Sequence, residues 1–250
     1  MIEGFAREPS VEPGGQLELH VSTDAPAFRV DFYRWGLELT RLGGSDWLDG
    51  VLVPQHLPFH DWTRDNVGLD GSDLAAWPGY RFAVPADWPS GVYVAVLAEG
   101  DGGERPVDGD ARHARALFVV RSAAPGADAA ILYKVPLLTY HAYNQVCEQR
   151  YDPAAQAGGW CLYSVPEPAE LPVAVPPAVS VRRPGGGTGG TPFDTFNPDP
   201  FDPTPRQTFV HWDALAVAWL ERSGYRFDVC TDLDLHADGG TGALLAPYRL

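Results

Sequence analysis

At 250 residues the chain is long enough to bury a substantial core in one large or two ordinary domains. A formal net charge of −15, with Lys134 the only lysine, leaves no basic patch and argues against nucleic-acid partners and anionic membrane surfaces. No apolar run approaches the ~20 residues of a membrane span, and Met1-Ile2-Glu3-Gly4-Phe5 leads into loop chemistry with no leader pattern, so a cytoplasmic protein is expected.

The first half reads as strands. Gln16–Ser22 alternates apolar and polar after the turn Pro13-Gly14-Gly15, and Phe28–Trp35 alternates until Gly36. Between them and the next strand, residues 43–77 are irregular and carry Trp47, His56, His60, Asp61, Trp62 and Trp77, which reads as a long loop packed by its own aromatics. Tyr80–Val84, Gly91–Leu97 and Ala114–Val120 complete the set, and the turn Trp88-Pro89-Ser90 feeds the second of these. Short period-two strands separated by Gly, Pro and Asp turns predict an all-β, immunoglobulin-like sandwich over residues 1–122.

Residues 123–128 form a linker by composition. After it the period changes. Ala129–Tyr133 is a short buried strand. Phe209–Arg222 carries Leu215, Val217, Ala218, Trp219 and Leu220 as a helical stripe, closed by Gly224, and Tyr225–Cys230 is a second strand. Strand, helix, strand predicts the first part of an α/β domain with a parallel, Rossmann-like sheet over residues 129–250. The Pro/Gly/Asp-rich stretch 151–206 reads as a loop covering the site. Leu244–Leu250 reads as a turn into a further strand.

Ligands of open α/β sheets bind outside the carboxyl ends of the strands. There the chain places Tyr140, His141, Tyr143 and Asn144, whose phenol, imidazole and carboxamide groups offer metal ligation, proton transfer and hydrogen bonding. Tyr140 and Tyr143, three apart, would equally pack on the first turn of a helix. Asp232, Asp234 and His236 follow the second strand; an extended backbone would set all three on one face, a donor set suited to a divalent metal, whereas a helix would use an aspartate as a cap. Cys147, Cys161 and Cys230 match no zinc pattern; a Cys147–Cys161 bridge and a fully reduced protein are both open. The glycines 185–190 lack the Gly-Lys-Ser/Thr ending of a phosphate loop, and no nucleophile elbow is present.

The order of segments resembles the large (β) subunit of N,N-dimethylformamidase. Pro13–Thr23 and Trp88–Tyr93 look like its sandwich, and Thr139–Asn144, Leu162-Tyr163 and Val179–Pro184 like its first α/β segment. Trp219–Tyr225 and Thr231–His236 continue the match. The resemblance implies an iron-dependent hydrolase of small amides, with mononuclear Fe3+ held by two tyrosines and a carboxylate. One tyrosine would be Tyr140 or Tyr143 and the other Tyr163, with Asn144 nearby. The family's carboxylate lies in a His-x-Glu-Tyr motif after the next strand, and this sequence has no such motif.

The expected function is therefore an N-terminal portion of a dimethylformamidase-like enzyme that hydrolyses C–N bonds of small amides. Either a homo-oligomer or a partner subunit would complete it. A non-catalytic sandwich that binds carbohydrate or protein through the 43–77 segment is the alternative.

Overall fold

The structure, a computed structural model, describes residues 2–53, 77–101, 113–142, 181–182, 184–187 and 208–249. Two sheets face each other. The smaller has the order β1-β3-β7, from β1 (Ile2–Ala6), β3 (Gln16–Thr23) and β7 (Gly79–Ala83), and is antiparallel throughout. The larger runs β2-β9-β8-β4-β5, from β2 (Ser10–Val11), β9 (His113–Val120), β8 (Gly91–Gly100), β4 (Ala27–Trp35) and β5 (Leu39–Gly44), with β6 (Leu48–Asp49) also on β4. This is a β-sandwich.

Alternation builds its core. Leu17, Leu19 and Val21 of β3 point inward to meet Phe28, Val30 and Phe32 of β4. Aromatic pairs cross the gap: Phe28 meets Tyr80 edge-on at 4.8 Å, and Phe32 meets Phe82 at 5.3 Å. Each such side chain, fully buried, contributes roughly 1.5–3 kcal/mol. The expected turn at Pro13-Gly14-Gly15 is present, with Gly14 at φ +77°, the Gly14 amide donating to Val84 O and the Val84 amide donating to Gly15 O.

The amino terminus differs from the loop expected there. Ile2–Ala6 pairs with β3 in the register Ile2↔Thr23 to Ala6↔Leu19. Gly4, which weakens a strand pattern when read alone, marks a close approach: a Cβ there would lie 2.4 Å from the Leu97 side chain. Phe5 stacks on His20 at 5.3 Å. Of the 43–77 segment, residues 54–76 lie outside the described residues; β5 and β6 occupy part of the rest.

The outer face of the large sheet is apolar as well. Along β8, Tyr93, Ala95 and Leu97 face the sandwich core, while Val92 and Val94 join Leu117 and Val119 of β9 in a second core. The run Val92–Leu97 is almost uninterrupted in apolar character because both faces of its strand are covered.

The cover comes from the second half. β10 (Ile131–Val135) and β11 (Phe227–Thr231) pair in parallel, with α2 (Asp213–Arg222) between them in sequence. Val135, Phe209, Ala214, Val217 and Val229 fill the second core. A wider parallel sheet is not among the described residues.

The stripe expected on α2 divides between two faces. Ala214, Val217 and Leu220 are buried, whereas Leu215 and Trp219 point to solvent. Its end follows the expectation: Gly224, at φ +76°, donates to Glu221 O, and Tyr225 donates to Leu220 O, the two bonds of a Schellman cap. Polar ties cross to the sandwich, with Glu221 accepting from Arg34 at 2.7 Å and from the Leu37 amide at 2.6 Å. Near the chain's end, the Arg249 amide donates to Ala130 O beside the start of β10. Among the described residues no helix is long and apolar enough to cross a membrane.

Candidate functional site

The parallel pairing of β10 and β11 brings their carboxyl ends together, at Val135 and Thr231. Two short helices leave from there, α1 (Leu137–Ala142) and α3 (Asp232–Ala237). Because α2 runs back between two parallel strands, its amino terminus lies at this same end, where its backbone dipole favours negative charge. Of the polar residues predicted after each strand, Tyr140, His141 and Asp232 therefore stand at this end of the layer.

Tyr140 and Asp213 form the centre. Tyr140 is 2% exposed and Asp213 8%. The Tyr140 hydroxyl donates to Asp213 Oδ2, and the Tyr133 hydroxyl donates to Asp213 Oδ1 at 2.5 Å. Three elements thus meet through one carboxylate: β10, α1 and the first residue of α2. Burial raises the Asp213 carboxyl above the usual carboxylate range, against the lowering effects of the Tyr133 hydrogen bond and the nearby Lys134 charge. Burial, reinforced by the hydrogen bond to Asp213, raises the Tyr133 phenol.

Neither Tyr133 nor Asp213 was singled out from sequence. A tyrosine inside an apolar strand needs a partner for its hydroxyl when buried, which is the signal Tyr133 carried. Asp213, an acidic residue in a helix's first turn, carries no such signal.

His141 is buried beside Tyr140. The glycine turn covers both residues. A Cβ on Gly186 would lie 2.2 Å from His141 Cε1, and one on Gly187 would lie 3.3 Å from the Tyr140 ring and 2.4 Å from Leu117. These glycines allow a backbone to lie flat on the α1 side chains. The cavity that His141 borders measures only about 10 Å³, too small for a substrate.

The triplet Asp232, Asp234, His236 is helical, and this corrects the extended, one-faced arrangement. On α3, successive residues turn by about 100°, so Asp234 points away from the other two. Asp234 completes a capping box with Thr231, accepting from its amide at 2.7 Å and its hydroxyl at 2.8 Å. It also accepts from Ser10 at 2.8 Å and Arg121 at 3.1 Å, which fixes α3 to the sandwich. Asp232 pairs with Lys134 at 2.7 Å and accepts the Leu138 amide at 2.9 Å, tying α3 to α1. His236 is exposed. Among the described residues no group of three His, Cys, Asp or Glu side chains is placed to hold a metal. Tyr143, Asn144 and Tyr163 lie outside the described residues.

A larger hollow, about 520 Å³, opens at the opposite end of the layer, between Arg34, Trp88, Ser90, Glu221, Tyr225 and Asp228. It sits at the amino ends of β10 and β11, away from the tyrosine cluster.

The family model described as N,N-dimethylformamidase beta subunit-like, C-terminal, matches residues 29–250. The chain belongs to this family. No curated protein matches it. Among solved structures it is similar to a family 123 glycoside hydrolase from Clostridium perfringens, with 9% identity over 59% of this chain and 33% of that chain, at a TM-score of 0.20. The chain spans about a third of that structure's length, and a likeness this slight carries no argument.

Iron is the metal implied for a dimethylformamidase-like protein. Tyr133, Tyr140 and Asp213 supply hard oxygen atoms, the chemistry Fe3+ favours. Yet both phenol protons are given to Asp213, and Tyr140 and Asp213 are closed inside the second core. An open site needs deprotonated ligands and room for substrate. The described residues on their own do not fit such a site.

Proposed function

We propose that this dimethylformamidase-like protein is part of a metal-dependent hydrolase acting on C–N bonds of small amides. The family match across residues 29–250 carries the reading. The geometry supports it in one respect: polar side chains from α1, α2 and α3 collect at the carboxyl ends of a parallel strand pair, the usual place for an α/β site. On this reading β10, α2 and β11 are the start of a Rossmann-like parallel layer, and the sandwich is immunoglobulin-like.

Tyr140 then serves the site by position. Its hydroxyl is held by Asp213, so α1 is fixed in angle before the chain continues to Tyr143. Tyr143 and Tyr163 are the remaining ligand candidates from the sequence pattern, and a metal held there would supply Lewis acidity toward an amide carbonyl. On this reading the chain works in an assembly, with a partner subunit or with a second copy of itself.

The test is to purify the protein, measure its iron, and follow formate and dimethylamine released from N,N-dimethylformamide alongside a panel of other small amides. Iron at one per chain with hydrolysis of any panel member supports the reading. A metal-free product inactive on the whole panel, before and after iron reconstitution, overturns it.

The rival reading, a carbohydrate-binding sandwich, rested on the aromatics of 43–77. Trp77 is buried against Phe5, and Trp47 packs over Gly100 and under the Arg29 guanidinium. Both have work inside the fold; His56, His60, Asp61 and Trp62 lie outside the described residues, and among the described residues no observation favours that reading.

A further inference from the structure

The hollow at the amino ends of β10 and β11 lies at the opposite end of the layer from the tyrosine cluster. Its volume of about 520 Å³ is in the ordinary range for small-molecule sites, which favour the seams between structural units. The sandwich contributes the turn Trp88-Pro89-Ser90 and the chain after β9. The second half contributes the end of α2 and the first residues of β11.

The lining is acidic. Arg34 and Arg226 are its cations, against the carboxylates of Asp87, Asp128, Glu221 and Asp228. Arg34 is engaged by Glu221 at 2.7 Å, and Arg226 lies 3.8 Å from Asp128. Asp87 and Asp228 are left without a cation among the described residues. Asp228 is the more telling of the two. It is 8% exposed, and its bonds from the Gly126 amide at 3.1 Å and the Tyr248 hydroxyl at 2.8 Å both end on Oδ2. Oδ1 accepts from no described side chain or loop amide, and Asp228 lines the hollow. A carboxylate oxygen so far removed from water favours a charged donor.

The apolar part of the lining is aromatic. Trp88 lies flat on Tyr93, with ring centroids 4.9 Å apart and planes 8° from parallel, and gives the hollow its remaining surface. Phe227, half-buried, is a second ring there. Such rings attract a positive charge through their quadrupole. The carboxyl end of α2, negative by its backbone dipole, stands at the same end of the layer.

We infer that this hollow binds a small organic ammonium ion, with an N–H donating to Asp228 Oδ1 and a short hydrocarbon body lying on Trp88 and Phe227. The two unpaired carboxylates repel an anion, and a neutral alcohol leaves their charge uncompensated. The volume takes such a molecule whole, which assigns the site to a free amine and not to a lysine side chain of another protein. The inference stands apart from the hydrolase reading, since it uses no residue of the tyrosine cluster.

Isothermal titration calorimetry of the full chain with butylammonium chloride tests it, in phosphate buffer with about 0.15 M salt to screen the general pull of an acidic surface. Saturable binding at one equivalent per chain is expected, with butyrate and butanol weaker by about tenfold or more. Asp228→Asn keeps a carboxamide oxygen for Gly126 and Tyr248 but loses the charge, and should weaken binding about tenfold or more. Asp87→Asn, at an exposed position, should weaken it severalfold with an unchanged circular dichroism spectrum. Butylammonium binding no tighter than butyrate or butanol overturns the inference, and so does a titration that does not saturate at one site. Unchanged affinity in Asp228→Asn overturns it as well; if that variant fails to fold, unchanged affinity in Asp87→Asn does so. Tighter binding of Nα-acetyl-lysine amide than of butylammonium overturns the assignment to a free amine.

Discussion

Replacing Tyr140 with phenylalanine removes one hydroxyl from the second core and leaves the ring in place, so packing against Leu117, Leu137 and Val217 is kept. What is lost is a charge-assisted hydrogen bond to Asp213, worth about 2 kcal/mol at a buried site. No cavity penalty adds to this, because the volume change is a single oxygen. For a chain of this size that loss corresponds to a fall in Tm of roughly 4–8 °C. Asp213→Asn should couple to it: a double-mutant cycle is expected to return about 1–2 kcal/mol between the two positions, since one bond is shared.

The pH dependence follows from the direction of the Asp213 shift. Its folded-state value is raised by burial, so the folded state holds the proton more tightly than the unfolded state. The group's contribution to stability therefore declines as pH rises from the ordinary aspartate range through the raised value. Asp213→Asn removes that slope, and its disadvantage relative to wild type should shrink between acid and neutral pH. Urea denaturation at several pH values, with iron content measured in parallel, reads all three effects. If Tyr140→Phe lost its iron while its stability stayed within about 0.5 kcal/mol of wild type, Tyr140 would be a ligand and the positioning role would be refuted.

Three further outcomes are expected. Asp234→Ala deletes the capping box, leaves Ser10 and Thr231 without this acceptor and leaves Arg121 with Glu12, at a cost of about 2 kcal/mol in urea denaturation; a loss under about 0.5 kcal/mol would mean that solvent replaces these bonds freely. Cys230, whose thiol burial pushes up to about 12, should resist alkylation at pH 8 in the native protein and react in urea, as read by peptide mass mapping; prompt native labelling would contradict its burial. In alkaline difference spectroscopy Tyr93 should titrate at about 12, because burial disfavours its phenolate, with Tyr133 and Tyr248 later still. The neutral phenols support the fold below the ordinary tyrosine range and lose that support as pH climbs through the raised values, so alkaline unfolding before any of the three ionises would count against the shifts.

Local pattern was sufficient wherever the structure is local. The alternation of Gln16–Ser22 and Phe28–Trp35, the turn at Pro13-Gly14-Gly15 and the cap at Gly224 each follow from a few adjacent residues, because pleat, turn and helix end impose period and backbone sign on their own sequence. The strand, helix and strand at β10, α2 and β11 were legible for the same reason, whereas residues 244–249, expected to lead into a further strand, form no strand. The β1 strand was not, since Gly4 suits a loop until Leu97 of another sheet is brought against it.

The candidate site shows the same division. That Tyr140 and His141 would stand at a strand end, and Asp232 at the next, follows from sequence order and from the rule for parallel strands. Which carboxylate Tyr140 would meet does not: Asp213 lies 73 residues away and arrives only because α2 folds back between β10 and β11. Likewise Asp232, Asp234 and His236 carry metal-ligand chemistry as residue types, but Thr231 and Asp234 cap one another and turn the segment into a helix, with Ser10 and Arg121 of the sandwich holding it there. The chain's composition decided what could be buried and what could be charged. Tertiary contacts decided which polar groups share a proton, because a desolvated carboxylate takes whatever donors the topology delivers to it.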